Sequence, residues 1–210
     1  MTTQSELRDL ESRPQRYWNV DGIPELMMGL TWMVWGGAML LGNQIESKPV
    51  YKAYWLFVPA LLALSGWGQQ WATKKLKARF TYPRTGYVEY KEPSRKQRFF
   101  TAVIAALSAA LLAATIRTGR ASGMEFTIAP VTGVLCSLAL LVASVRQKAP
   151  HLLALAGVAL ALALAAAALH TSWDGISWMF LWLGLAAAAI GGWRFRRYLA
   201  QHGVAEGVEL

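Results

Sequence analysis

Charge is scarce in this sequence. Of its 210 residues only 16% are Asp, Glu, Lys or Arg, against about 25% in soluble domains, too few to coat a water-exposed globule. Cysteine is nearly absent: Cys136 stands alone, which excludes a disulfide-stapled secreted fold and reads as a small buried apolar residue. There is no phosphate loop, no Cys/His metal set and no HExxH. Asp174 and Glu125 have no partners at motif spacing, so catalysis by paired carboxylates has no support. What the chain does have is 55% hydrophobic residues, ten Trp and a net charge of +9. That apolar fraction excludes disorder and points to a membrane protein with excess positive charge.

Six long apolar runs stand out, at about 23–41, 53–71, 99–116, 126–145, 152–170 and 176–192. A helix of about 20 residues rises ~30 Å, the thickness of the hydrocarbon layer. Inside lipid the backbone must satisfy its own hydrogen bonds, so each run is expected to be a transmembrane helix. The expected fold class is an all-α membrane protein, a bundle of six transmembrane helices. The expected organisation is an N-terminal segment 1–22, a helical hairpin 23–71, a basic loop 72–98, spans three to six over 99–192 and a tail 193–210.

The 21 basic residues are distributed unevenly. Seventeen fall in the N-terminal tail, the second and fourth loops and the C-terminal tail, and four in the remaining loops. The positive-inside rule then puts both termini and the basic loop in the cytoplasm, in a multi-pass protein of a bacterial inner membrane. No cleavable signal is evident ahead of the first run. Trp18, Trp55, Trp71, Trp173, Trp178 and Trp193 lie near run ends, where amphipathic rings favour the headgroup zone. In the first run, Asp21 is the expected N-cap, and Glu25 is placed where the helix dipole favours its charge, a structural role ahead of a proton relay.

The loop 72–98 carries β-prone aromatic arms at 78–82 and 87–91 around Pro83-Arg84-Thr85-Gly86, which predicts a short cytoplasmic β-hairpin between the second and third spans. The stretch Phe80-Thr81-Tyr82-Pro83-Arg84-Thr85-Gly86-Tyr87-Val88 resembles a segment of uncharacterised bacterial multi-span membrane proteins, also placed between spans. That resemblance covers about a fifth of the chain and implies no reaction. Lys74, Lys75, Lys77, Arg79 and Arg84, with Tyr82 and Tyr87, are candidate contacts to anionic lipid headgroups or a partner subunit. Nucleic acid is not an expected partner of so short a loop beside a bilayer.

Stripes of small residues mark expected helix contacts: Gly133 with Ser137, Gly157 with Ala161 and Ala165, Ala38 with Gly42, and Gly184 with Ala188 and Gly192. Trp32, Trp35 and Trp182 lie away from the interfaces, and internal packing is weighed there against a partner, lipid or pigment. His170 closes the fifth run one turn after Ala166, an arrangement similar to the pigment-ligating histidine of light-harvesting polypeptides. The competing reading is a histidine at a helix C-terminus that bonds terminal carbonyls. The leading expectation is a non-catalytic accessory or scaffolding subunit, not an enzyme, with no metal or cofactor. The alternatives are a subunit holding (bacterio)chlorophyll or another pigment at the edge of a photosynthetic complex, and a channel or carrier for a neutral solute.

Overall fold

A computed structural model describes residues 21–82, 127–147, 149–171 and 173–201. They form five helices and no strand: α1 (Ile23–Asn43), α2 (Lys48–Phe80), α3 (Ile128–Gln147), α4 (Pro150–Ala168) and α5 (Trp173–Gln201). Three of these, α3, α4 and α5, are long and apolar enough to cross a membrane, which fits the membrane reading.

The expectation of six spans is therefore met only in part. α1 and α2 coincide with the first two runs but are not among these three. The run 99–116 lies outside the described residues. The β-hairpin is corrected in its first arm, since α2 continues through Ala78, Arg79 and Phe80, and Tyr82 is helical. Lys74–Ala78 is rich in good helix formers, and the Phe80 ring finds an edge-on partner in Phe195 at 5.6 Å. Tertiary contact thus overrides the local strand preference of Phe-Thr-Tyr. The second arm, with Arg84 and Tyr87, lies outside the described residues. Two boundaries also move: neither 71 nor 193 ends an element, because α2 runs on to Phe80 and α5 to Gln201.

At 33 residues, α2 is about 50 Å long against a hydrocarbon layer of about 30 Å, so its last turns project past any bilayer it crosses. α5, with 29 residues, overshoots the same way. Proline in the first turn starts α1, α2 and α4, where its missing N–H costs nothing. The N-cap of α1 is Gly22, at φ 74°, one residue after the expected Asp21. Asp21 instead accepts the Ile23 N–H through Oδ1 at 3.1 Å.

The largest interface joins α1 to α5, which run antiparallel. Gly22, Gly29 and Gly36 recur every seven residues along α1, and Ser177, Gly184 and Gly191 do so along α5. They meet in reverse order, with Gly22 against Gly191, Gly29 against Gly184 and Gly36 against Ser177. A Cβ on Gly29 would strike the Gly184 carbonyl and the Ala188 backbone. A sevenfold small-residue repeat keeps one seam facing its partner and lets two backbones touch where lipid provides no hydrophobic drive.

The second module is the α3–α4 hairpin. Ser144 and Ala149 close its turn, the Ser144 hydroxyl and the Ala149 N–H each donating to the other's carbonyl at 3.0 Å. The Ser137 hydroxyl donates to the Ala156 carbonyl at 2.9 Å across it. Leu152, Leu155, Ala156 and Ala159 pack with Leu183 and Ala187 of α5 in one apolar cluster. Ile128, Ala129 and Ala166 pack with Ile176, Met179 and Phe180 at the far end. Outside these clusters the surface is greasy: Leu56, Phe57, Leu64, Trp67, Val145 and Leu164 are all exposed, as a lipid-facing surface would require.

α2 is fastened mainly to α1, through the Tyr54 hydroxyl donating to the Ala38 carbonyl at 2.5 Å and the Trp35 indole donating to Ser65 Oγ at 2.7 Å. Trp35→Phe keeps the edge-on ring contact with Phe180 but deletes that second bond. It is expected to lower stability by about 1 kcal/mol. Read from denaturant unfolding of the solubilised protein, the losses of Trp35→Phe and Ser65→Ala should not add in full, because both delete this one bond.

Candidate functional site

Polar side chains of the bundle gather at one end, where α1 begins, α2 and α5 finish and α4 begins. Three helices each present two polar residues four apart, hence on one face: Asp21 and Glu25, Lys77 and Thr81, Arg194 and Tyr198. α4 adds His151 in its first turn.

Asp21 and Lys77 form the first half of the site. The Lys77 ammonium donates to Asp21 Oδ2 at 2.6 Å and the Thr81 hydroxyl to the same oxygen at 2.7 Å. Both charged side chains are almost wholly enclosed, at 2% and 0% exposure for Lys77 and Asp21. With the Ile23 N–H on Oδ1, the carboxylate takes three donors. Burial pulls the Lys77 pKa below the usual lysine range, and the adjacent Asp21 charge opposes that pull. Tyr198 of α5 closes this half, its hydroxyl reaching the Thr81 carbonyl at 3.5 Å.

Glu25, His151 and Arg194 form the second half, a triangle of one oxygen and two nitrogens. Glu25 Oε1 lies 2.5 Å from His151 Nε2 and 3.0 Å from Arg194 Nη1. The two nitrogens are themselves 2.7 Å apart. A guanidinium only donates, and a ring nitrogen either carries a proton or offers a lone pair. His151 Nε2 therefore donates to Glu25 or accepts from Arg194, never both. Glu25 Oε2 is buried and has no hydrogen-bond partner among the described residues.

Chemically, this arrangement is a fastening. Its charges are spent on one another across four helices, and among the described residues no three or more His, Cys, Asp or Glu stand where they could hold a metal ion.

The residues singled out from sequence fall in several places. Lys77 is inside the site, whereas Lys74, Lys75 and Arg79 are exposed on the other faces of α2. Trp35 is tied to Ser65, Trp32 packs against both apolar clusters, and Trp182 faces outward at 54% exposure. Gly133 sits against Ala163 and Met179, and Gly184 is at the centre of the α1–α5 seam. Ala188 touches Gly29 through its backbone, but Gly192 has only Leu26 near it and Gly191 makes the close approach instead. The stripe was read with period four, and the seam has period seven. Gly157 is brought to no partner among the described residues: it is exposed, a Cβ there would meet none of them, and Ala156, Ala159 and Ala163 form the buried side of α4.

His170 is exposed and has φ 48°. The His170 N–H donates to the Ala167 carbonyl and the Thr171 N–H to the Ala166 carbonyl, the two bonds of a left-handed helix terminus. That backbone role accounts for a residue tolerant of positive φ at this position.

Sequence reasoning missed the site as a whole. It placed Lys77 among the cations of a loop and brought neither His151 nor Arg194 to Glu25. The available signal was Thr73-x-x-x-Lys77-x-x-x-Thr81, a polar stripe at helical spacing, all three members of which are buried. Comparison with known protein families, with characterised proteins and with solved structures finds no match.

Proposed function

We propose that the chain is a non-catalytic, multi-span protein of a bacterial inner membrane that serves as an accessory or scaffolding subunit of a larger membrane complex. The observation that carries this reading is the closure of the charged end. The ionisable groups nearest the spans, which an enzyme or carrier would turn toward a substrate, are committed to binding α1, α2, α4 and α5 together. Large aromatics such as Phe57, Trp67 and Trp182 face outward, where lipid or a neighbouring subunit would meet them.

Charge supports the orientation. Among the described residues, the end that holds the site carries eight Lys or Arg and two carboxylates. The opposite end carries Lys48 and Lys52 against Glu46 and Asp174. The site end is then cytoplasmic. Tyr82 stands at that end and Ile128 at the other. A crossing by the apolar run 99–116 would complete six spans with both termini inside.

Native mass measurement in mild detergent, with identification of whatever co-migrates, tests the reading. A stable assembly with other membrane subunits is expected. A monodisperse, partnerless monomer from native membranes would sink the scaffold proposal while leaving the membrane topology standing.

A further inference from the structure

The exposed cations at the site end are not scattered. On α2, Lys75 lies one turn beyond Trp71, its ammonium 4.6 Å from the indole centroid. On α5, Arg197 lies one turn beyond Trp193, its guanidinium 5.6 Å from that ring. The two helix ends are held side by side by the Phe80–Phe195 contact and by Tyr198 on Thr81. Both indoles are more than half exposed, at 54% and 62%.

Their depth is set by the spans. Trp71 is twenty residues from Tyr51, and Trp193 twenty from Trp173, each about 30 Å along a straight helix, the width of the hydrocarbon layer. With α2 and α5 both crossing, as in the six-span proposal, Trp71 and Trp193 fall at one edge of the bilayer and Lys75 and Arg197 about one turn outside it, at headgroup height. Lys74 and Arg79 on α2 and Arg196 on α5 widen the rim and are likewise exposed. The two carboxylates of this end, among the described residues, are Asp21 and Glu25, and both are enclosed and paired with Lys77, His151 and Arg194. Among the described residues the acids neutralise the interior and leave the rim uncompensated.

From this geometry we infer that the rim formed by Trp71–Lys75 and Trp193–Arg197 is a binding site for anionic phospholipid headgroups. Each indole sits against the glycerol and upper acyl region while its partner cation meets the phosphate. An indole face also steadies a cation that would otherwise sweep through solvent. The inference rests on the membrane-spanning part of the proposed function and is independent of any partner complex.

Full-length protein reconstituted into nanodiscs of phosphatidylcholine, with and without phosphatidylglycerol, tests it. Native mass spectrometry after ejection should find phosphatidylglycerol retained over phosphatidylcholine. In detergent, short-chain phosphatidylglycerol should raise the melting temperature where phosphatidylcholine and soluble phosphate do not. A cation near the surface is worth about a fivefold gain in affinity for an anionic headgroup, so Lys75→Gln with Arg197→Gln should weaken binding roughly thirtyfold. Lys48→Gln with Lys52→Gln, at the opposite end, should leave it unchanged. Equal retention of the two lipids by the wild type, equal loss in both double variants, or the same shift from soluble phosphate would overturn the inference. Failure to float with neutral phosphatidylcholine vesicles would instead strike the membrane reading itself.

Discussion

Lys77→Met is expected to lower stability by about 3–5 kcal/mol, because it leaves the Asp21 carboxylate enclosed without its countercharge. Thr81 and the Ile23 N–H still donate to that carboxylate, but neither carries a charge. Replacing both partners is a different experiment. Asp21→Leu with Lys77→Met removes the need to desolvate either ion, and should recover most of the loss. A double-mutant cycle read from reversible denaturant unfolding isolates the coupling, and additive losses would mean the two residues act separately. The pH dependence has a definite sign. Burial holds the Lys77 pKa below its ordinary value, so between the two values the unfolded chain binds more protons than the folded one. In that alkaline window Lys77's contribution to stability therefore grows as pH rises, and Lys77→Met should lack that slope.

What the sequence could reveal of this end was limited by distance along the chain. Asp21 and Lys77 are 56 residues apart, and Glu25 and Arg194 are 169. Nothing in local spacing says that such residues meet. The apolar helices were legible because hydrophobic runs are a local signal, and α1, α3, α4 and the core of α5 fall where the runs lie. The end of α2 was not, because Phe80-Thr81-Tyr82 favours strand locally and the contacts that keep it helical come from α5. Once that stretch was read as a loop, Lys77 became one of several basic residues with no face to distinguish it. Read as helix, Thr73, Lys77 and Thr81 share a side that Lys74, Lys75 and Arg79 do not. Glu25 was placed correctly in the first turn of α1, but the dipole argument that explained it needed no partner. Its partners stand on the first turn of a helix begun more than a hundred residues later and near the end of the next.

Gly29 and Gly157 separate packing from propensity, and substituting each with Ala should move stability in opposite directions. Both are helical glycines in apolar segments, and the small-residue stripes read from sequence include Gly157 but not Gly29. At Gly29 a methyl would land on the Gly184 carbonyl and the Ala188 backbone. Backbone cannot rotate aside as a side chain does, so α1 and α5 must separate along the seam. Gly29→Ala should cost about 1–3 kcal/mol, and Gly29→Leu more. At Gly157 the added methyl meets nothing within 4 Å among the described residues. It removes backbone freedom from the unfolded chain, so Gly157→Ala should leave stability unchanged or raise it by up to about 1 kcal/mol. The sevenfold repeat adds a further requirement, since Gly184→Ala strikes the Gly29 carbonyl and Met33 across the same seam. The helices need to part only once, so Gly29→Ala with Gly184→Ala should cost clearly less than the sum of the two single losses. Unfolding of the five variants in one detergent decides the matter. If Gly29→Ala proves as harmless as Gly157→Ala, the α1–α5 seam is not where the bundle is held.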